Sequence, residues 1–270
     1  MRDDTTLENW LLTNIDLQGE YDEDFKVTIP LLPPSEIQLR FTGREGLRNL
    51  RQGFNFWKLM YLNINISTTT QVLDFGSGWG RIGRFWLIDL APDNVYYADC
   101  LSEAVNIFKS LGYSSPIEHC STLPPLKNRG PFDVIHAYSV FSHLNEPYFN
   151  AWLKEFSKVL KPGGKLFITS RGKSFIQFVE KWQRNGKKES FNGHMLPEAS
   201  DLLDKYLAGE FQFYTESGGG GELSSEFYGQ AFVPEQYIRK ISAEYGYSEI
   251  FRMPTPEEVD QAVFMLVKEV

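Results

Sequence analysis

Apolar positions along the chain follow two different periods, and the change between them divides it. From Gly46 onward Leu47, Leu50, Phe54, Trp57 and Tyr61 fall three and four residues apart, which places them on one helical stripe running to about Asn63. Upstream, Leu7 to Ile15 reads as a short helix and the acidic run Glu20 to Asp24 as a solvated turn. Pro30, Pro33 and Pro34 then interrupt regular structure. From Gln71 short apolar runs alternate with helical patterns. Val72 to Phe75 reads as a strand and Arg81 to Leu90 as an amphipathic helix. A strand Val95 to Asp99 precedes a helix from Ser102, a good N-cap, to Leu111, with Gly112 as its stop. Two more strands are expected at Pro116 to Cys120 and Phe132 to Tyr138. The next helix starts near Asn145 and Pro147 and carries Phe149, Trp152, Leu153, Phe156 and Leu160 on one face. It ends at the turn Lys161, Pro162, Gly163, Gly164, and Lys165 to Ser170 is a fifth strand. Repeated strand–helix units predict a parallel sheet covered on both faces by helices.

Residues 171–232 break the alternation. They hold two helical patterns, Ser174 to Trp182 and Glu198 to Leu207, and four consecutive glycines, Gly218 to Gly221, expected as a mobile loop. A helix Pro234 to Tyr245 and strands near Ser248 to Met253 and Gln261 to Lys268 close the chain, the last two as a hairpin with one strand antiparallel. The expected division is a helical extension over 1–66 and a main domain over 67–270, with 171–232 as an insertion able to act as a lid.

Composition narrows the class of partner. The 270 residues are 42% hydrophobic and 23% charged, with a formal charge of −8, which lacks the bulk attraction to phosphate backbones that non-specific nucleic-acid binding uses. A local basic run, Arg171, Lys173, Lys181, Arg184, Lys187 and Lys188, reads as a solvated helix face. Cys100 and Cys120 are too few for a disulfide framework and read as reduced, buried fillers. No basic n-region opens the chain, and no apolar run approaches the ~20 residues that span a bilayer. The expectation is a cytoplasmic protein without a membrane or nucleic-acid partner and without a metal.

The segment VLDFGSGWGRIG, Val72 to Gly83, carries the chemistry. Gly76, Gly78 and Gly80 alternate between a strand and a helix, at the strand end where open α/β sheets bind ligands. Gly78, Gly80 and Gly83 formally satisfy G-x-G-x-x-G, but the strand does not run directly into Gly78. Counted from Gly76, the third glycine position is Arg81. Asp74 at the strand end would also face a pyrophosphate with like charge. The D-x-G-x-G-x-G pattern resembles the class I S-adenosylmethionine-dependent methyltransferases. Asp99 ending the second strand, the stretch Ser121 to Leu144, and LKPGGKLFIT (Leu160 to Thr169) are similar to further parts of that family.

The resemblance implies a doubly wound α/β fold, with a mostly parallel seven-stranded sheet in the order 3-2-1-4-5-7-6 whose last strand is antiparallel. It also implies S-adenosylmethionine as cofactor and S-adenosylhomocysteine as product. On it, Asp74, Phe75, Gly76, Ser77, Gly78 and Gly80 form the loop around the cofactor, Asp99 holds the ribose, and Cys100 and Leu101 flank the adenine. Cys120, Ser121 and Thr122 lie at the adenine edge, in place of an Asp that the family often has there. Tyr138 and Ser139 lie near the methionine moiety. The implied reaction moves a methyl group to a small polar acceptor, most simply a hydroxyl of a sugar or secondary metabolite. The Asn/Asp-Pro-Pro-Tyr signature of amino-group methylation is missing, the position reading Ala137, Tyr138, Ser139, Val140. His143, just past the fourth strand, and His194, in the insertion, are the candidate bases. Each has a plainer alternative. Asp74 can cap the loop's own amides, and His143 can cap the following helix. His136, inside a strand, reads as a packed histidine, His119 is ambiguous, and Trp79 with Phe54, Phe56 and Trp57 reads as core. Two other classes remain open on the sequence: a non-catalytic S-adenosylmethionine-binding scaffold, and an NAD-dependent oxidoreductase.

Overall fold

In the computed structural model, residues 2–128, 130–186, 197–215, 218–255, 259 and 261–270 are described. The chain forms two compact units, Met1–His119 with Pro256–Val259, and Cys120–Thr255 with Asp260–Val270.

The first unit opens with helix α1 (Asp4–Asp16), whose N-cap Asp3 accepts from the Thr6 amide. The acidic run expected as a turn contributes strand β1 (Tyr21–Asp22), which pairs with β2 (Val27–Thr28) as a small antiparallel hairpin. A helix that the hydrophobic pattern does not announce, α2 (Ser35–Thr42), starts directly after Pro34 and stops at Gly43 in the left-handed region. Helix α3 (Gly46–Tyr61) carries the expected stripe. Leu50, Phe54, Trp57 and Tyr61 are buried, whereas Leu47, on the first turn, is exposed. Phe54 and Trp57 pack their rings on Phe85, which lies past the glycine loop.

The unit continues with three parallel strands, β3 (Val72–Phe75), β4 (Val95–Asp99) and β5 (Ile117–His119), with helix α4 (Ser102–Ser110) between the last two. The helix expected over Arg81 to Leu90 is instead a 3₁₀ segment at Gly83–Ile88 in which every residue is buried. Neither the segment nor the turn before it has a polar face, because Arg84 and Arg81 turn inward. Arg81 donates to the Asn49 carbonyl and to Gln52 Oε1, and Arg84 to Asn14 Oδ1 and the Pro30 carbonyl. The polar positions that make the sequence look amphipathic are therefore internal anchors for the N-terminal helices.

The second unit contains β6 (Phe132–Ala137), α5 (Glu146–Val159) and β7 (Leu160–Ser170), with β6 and β7 parallel. The insertion folds as α6 (Lys173–Arg184), α7 (Ala199–Leu207) and an unexpected antiparallel hairpin of β8 (Gln212–Thr215) and β9 (Gly229–Phe232). It has its own core of Ile176, Val179, Leu202, Tyr206 and Phe232. The glycine run takes neither helix nor strand and closes a turn, the Gly219 amide donating to the Leu223 carbonyl (2.9 Å). Helix α8 (Glu235–Glu244) leads to β10 (Tyr247–Met253) and β11 (Ala262–Lys268), and β11 lies antiparallel to both β10 and β7. The seven-stranded sheet runs β10-β11-β7-β6-β3-β4-β5. Counted from β3, that is the expected order with the final strand reversed.

Candidate functional site

In the first unit the chain leaves β3 through three glycines with positive φ: Gly76 at 67°, Gly78 at 56° and Gly80 at 85°. L-residues avoid this region. At Gly80 space forbids a side chain as well, since a Cβ would come within 2.7 Å of the Tyr113 hydroxyl oxygen. That hydroxyl donates to the Gly80 carbonyl at 2.9 Å. The loop is tied to the end of β4. Gly76 and Ser77 amides both meet the Ala98 carbonyl, at 2.8 and 3.2 Å. The Gly78 amide donates to Asp99 Oδ2 at 2.7 Å, and the Leu101 amide to Oδ1 at 2.8 Å. Asp99 is thus a fixed, ionisable acceptor whose oxygens, able to take two hydrogen bonds each, already orient the loop.

Asp74 lies beneath the loop. Its Oδ2 accepts from the Gly83 amide at 2.9 Å and it is almost fully buried. Burial pushes its carboxyl up to about 7, with the Asp99 charge adding, while the Gly83 amide and Arg81 oppose. This is the geometry of the capping alternative. Phe41 of α2 lies against the loop, 3.5 Å from where a Cβ on Gly78 would be. Cys100 and Leu101 are half-buried after β4, and Phe75 and Trp79 are buried. His119 is exposed with its Nε2 2.9 Å from the Cys100 carbonyl.

The loop suits a nucleoside joined to an amino acid. The Ser77 hydroxyl is buried in the loop and has no hydrogen-bond partner among the described residues, and an unmet buried hydroxyl is costly unless a ligand completes it. A dinucleotide is poorly served, because the loop runs into a short 3₁₀ segment with Arg81 turned away, where a pyrophosphate would need an α-helical N-terminus.

In the second unit a connected polar chain is assembled at the end of β6. Ser139 has φ of 59°, a left-handed conformation in a non-glycine residue. Its amide donates to Thr169 Oγ1 at 2.7 Å. Thr169 in turn donates to Gln261 Oε1 at 2.8 Å, and Gln261 Nε2 donates to Ser139 Oγ at 2.8 Å. Ser139 Oγ lies 3.4 Å from His143 Nε2, and His143 Nδ1 lies 2.7 Å from the Gly229 carbonyl. A carbonyl only accepts, so the imidazole proton is on Nδ1 and Nε2 carries the lone pair that receives the Ser139 hydroxyl proton. Tyr228 stacks on the imidazole at 4.8 Å. Burial lowers the His143 pKa to about 3, with the Arg171 charge adding and the Gly229 hydrogen bond opposing. The helix-cap role belongs to Asn145, whose side chain accepts from the Tyr148 amide, and not to His143.

Cys120 is buried and Ser121 exposed. Thr122 offers its carbonyl to Trp152 Nε1, and Tyr138 is half-buried. His136 is wholly buried and burial lowers its pKa to about 3, as a packed histidine would have. His194 lies outside the described residues. Gln261, Gly229 and Tyr228 were not legible as site residues. Gln261 stands 122 positions from the serine it holds, and no local pattern marks such a pairing.

Residues 73–166 match a family model described as a methyltransferase domain. Over that segment the chain is similar to a methyltransferase domain, and the fold described above is the one that class I S-adenosylmethionine-dependent methyltransferases share. The methyltransferase fold extends well beyond the matched segment. The chain resembles an S-adenosylmethionine-dependent methyltransferase from Clostridium acetobutylicum ATCC 824, with a TM-score of 0.53 and 15% identity, over 87% of this chain and 97% of that one. It also resembles the magnesium protoporphyrin IX methyltransferase of Synechocystis PCC 6803 with bound S-adenosylhomocysteine. There the TM-score is 0.51 at 15% identity, over 82% of this chain and 84% of that one. At such identities the likeness speaks for the fold. A ubiquinone biosynthesis O-methyltransferase from Bradyrhizobium sp. (strain ORS 278) is 26% identical over 174 residues. That match covers 58% of this chain and 64% of the relative, so the chain spans under two thirds of that protein's length. Among the described residues no helix is long and apolar enough to cross a membrane, and no His/Cys/Asp/Glu group is arranged to hold a metal ion.

Proposed function

We propose that the protein transfers a methyl group to a hydroxyl of a small polar acceptor, with His143 taking the proton that leaves. The observation that carries the reading is the fixed tautomer of His143: its Nδ1–H is committed to the Gly229 carbonyl, so its Nε2 faces Ser139 as a proton acceptor. S-adenosylmethionine supplies a methyl carbon made electrophilic by the attached sulfonium, which leaves positioning and proton removal to the protein. On this reading Gly76, Ser77, Gly78 and Asp99 hold the amino acid and ribose parts, and Cys100 and Leu101 border the base. Cys120, Ser121 and Thr122 remain the adenine-edge assignment. Phe75, Gly80 and Asp74 shape the loop from below. Tyr138 lies between the end of β6 and Ser139.

Ser139 Oγ has one proton and two lone pairs. The proton points at His143, one lone pair takes Gln261, and the other is where an acceptor hydroxyl donates. As the acceptor oxygen bonds to carbon, its proton passes to Ser139 and the serine proton to His143 Nε2. The name of the Bradyrhizobium relative, an O-methyltransferase, agrees with a hydroxyl acceptor. The main domain is read as 67–270, with 171–232 bordering the acceptor through Tyr228 and Gly229.

Calorimetry with S-adenosylhomocysteine tests the first part. The wild type binds, and Asp99→Ala binds at least tenfold more weakly. Labelled methyl transfer to a panel of hydroxylated sugars and phenols tests the second. His143→Ala should lower turnover by about 10²-fold, the low end of general-base contributions, because burial holds the imidazole well below a neutral pKa, while S-adenosylhomocysteine affinity stays within twofold. Absence of S-adenosylhomocysteine binding to the wild type removes the proposal.

A further inference from the structure

We propose that Tyr113 is a positioning residue for the cofactor, acting through the Gly80 carbonyl of the glycine loop. The inference rests on the reading of that loop as the cofactor site, and deepens it by naming the side chain that holds the loop in shape before anything binds.

The loop is clamped at two points, and both clamps come from the stretch of chain that contains β4 and α4. Asp99, the last residue of β4, accepts from the Gly78 amide at 2.7 Å. Tyr113, just past the end of α4, donates its hydroxyl proton to the Gly80 carbonyl at 2.9 Å. Between the clamps the Gly80 amide donates to the Ser77 carbonyl at 2.9 Å, which closes a turn over Ser77 to Gly80. Ser77, whose buried hydroxyl has no hydrogen-bond partner among the described residues, opens that turn. The Gly80 carbonyl also accepts from the Arg84 amide at 3.2 Å. The tyrosine therefore takes the second lone pair of an oxygen that can accept twice.

Holding that oxygen matters because of what glycine lacks. A peptide is planar, so fixing its oxygen fixes the plane that leaves Gly80. Gly80, at φ 85°, has no Cβ whose sterics could do the same. The Tyr113 ring is held in turn by buried neighbours. It stacks on Phe108 of α4 at 4.1 Å and meets Tyr97 of β4 edge-on at 5.6 Å. Burial pushes the Tyr113 hydroxyl up to about 12, with the Arg84 charge opposing and Asp74 adding, so it stays a donor at neutral pH. Without this bond a turn rich in glycine would have to be ordered by the cofactor at the moment of binding, which weakens affinity. With it the ordering is done during folding.

The test compares two single-hydroxyl deletions in the full chain. Tyr113→Phe keeps the ring and removes the donor to Gly80. Tyr96→Phe removes a hydroxyl that donates to Glu118 at 3.1 Å, outside the loop. Calorimetry with S-adenosylhomocysteine reads affinity, and NMR amide exchange at Gly78 and Gly80 reads the loop. Tyr113→Phe should bind about three- to tenfold more weakly, the span expected for one hydrogen bond. Its Gly78 and Gly80 amides should exchange faster than wild type in the free protein and return to the wild-type rate at saturating S-adenosylhomocysteine. Tyr96→Phe should match wild type in both. Tyr113→Phe affinity within twofold of wild type overturns the proposal, even with a lowered urea midpoint, since that is the mark of a packing role alone. Unchanged loop exchange, or an equal loss of affinity in Tyr96→Phe, also overturns it. A wild type that does not bind removes the cofactor reading and this inference together, whereas a binding wild type with an undiminished Tyr113→Phe variant removes this inference alone.

Discussion

Ser139 shows how much a single residue is asked to do here. A left-handed backbone costs a non-glycine residue about 1–2 kcal/mol, and Ser139 adopts it at φ 59°. What offsets that cost is the set of bonds on its amide and hydroxyl, from Thr169, Gln261 and His143. Two substitutions should therefore separate fold from function. Ser139→Gly removes the hydroxyl but relieves the backbone, so its unfolding free energy should stay within about 1 kcal/mol of wild type while methyl transfer falls. Gln261→Ala leaves the Thr169 hydroxyl without its acceptor in a buried place, and should cost about 1–3 kcal/mol as well as moving the His143 Nε2 NMR signal. Urea titration and histidine NMR check both. Equal destabilisation in the two variants would contradict the account. Asp74 makes the opposite point about legibility. Its place in the motif allows both a ligand contact and a cap on the loop's own amides, and the structure shows its Oδ2 accepting from the Gly83 amide.

At the scale of elements, the glycine loop and the segment after it are specified by different signals. Gly76, Gly78 and Gly80 could be read directly, because positive φ after a strand leaves a mark in the sequence. The 3₁₀ segment could not. Arg81 and Arg84 have the polarity of a solvated face, and only the positions of Asn49, Gln52 and Asn14 on other helices make them interior. Gly80→Ala should be severe, because the added Cβ meets Tyr113, which is itself stacked on Phe108 at 4.1 Å. S-adenosylhomocysteine affinity should drop at least tenfold in calorimetry. Asn145→Ala, by contrast, removes a legible N-cap from α5 and should lower stability by about 1 kcal/mol. The β8–β9 hairpin is invisible in the hydrophobic pattern because Gln212, Thr215, Gly229 and Gln230 interrupt its two four-residue strands, so neither forms an apolar run like Val72–Phe75.

The molecule as a whole should respond to pH through groups that burial has shifted. His136 and His143 are lowered to about 3, so between that value and the ordinary histidine range the unfolded chain binds two protons that the folded one refuses. Asp74 is raised to about 7 and works the other way, holding a proton in the folded state that the unfolded chain releases above the ordinary carboxylate range. Near pH 5 two protons are taken up on unfolding against one released. From these three groups stability should rise with pH across about 4–6.5, at ~1.4 kcal/mol per pH unit for the net proton. Above pH 6.5 the histidine contribution is complete, and the Asp74 contribution is lost as pH rises through 7. Urea midpoints measured from pH 5 to 7 check the sign, and His136→Asn should flatten the slope if the variant folds. A wild-type midpoint that fell with rising pH below 6.5 would contradict it.

The sequence by itself determined what depends on neighbours along the chain. It set the alternation of strands and helices, the glycine turn after β3, the acid that ends β4, the Asn145 cap and the closing hairpin, since hydrophobic period, positive φ and capping are local properties. Tertiary structure alone decided which polar groups face inward and which meet. Gln261 reaches Ser139, Gly229 fixes the His143 tautomer, and Gln230 with Phe175 steadies Arg171. Those partners are brought together by strand order and packing, and no spacing along the chain encodes the distance between residues that only folding makes adjacent.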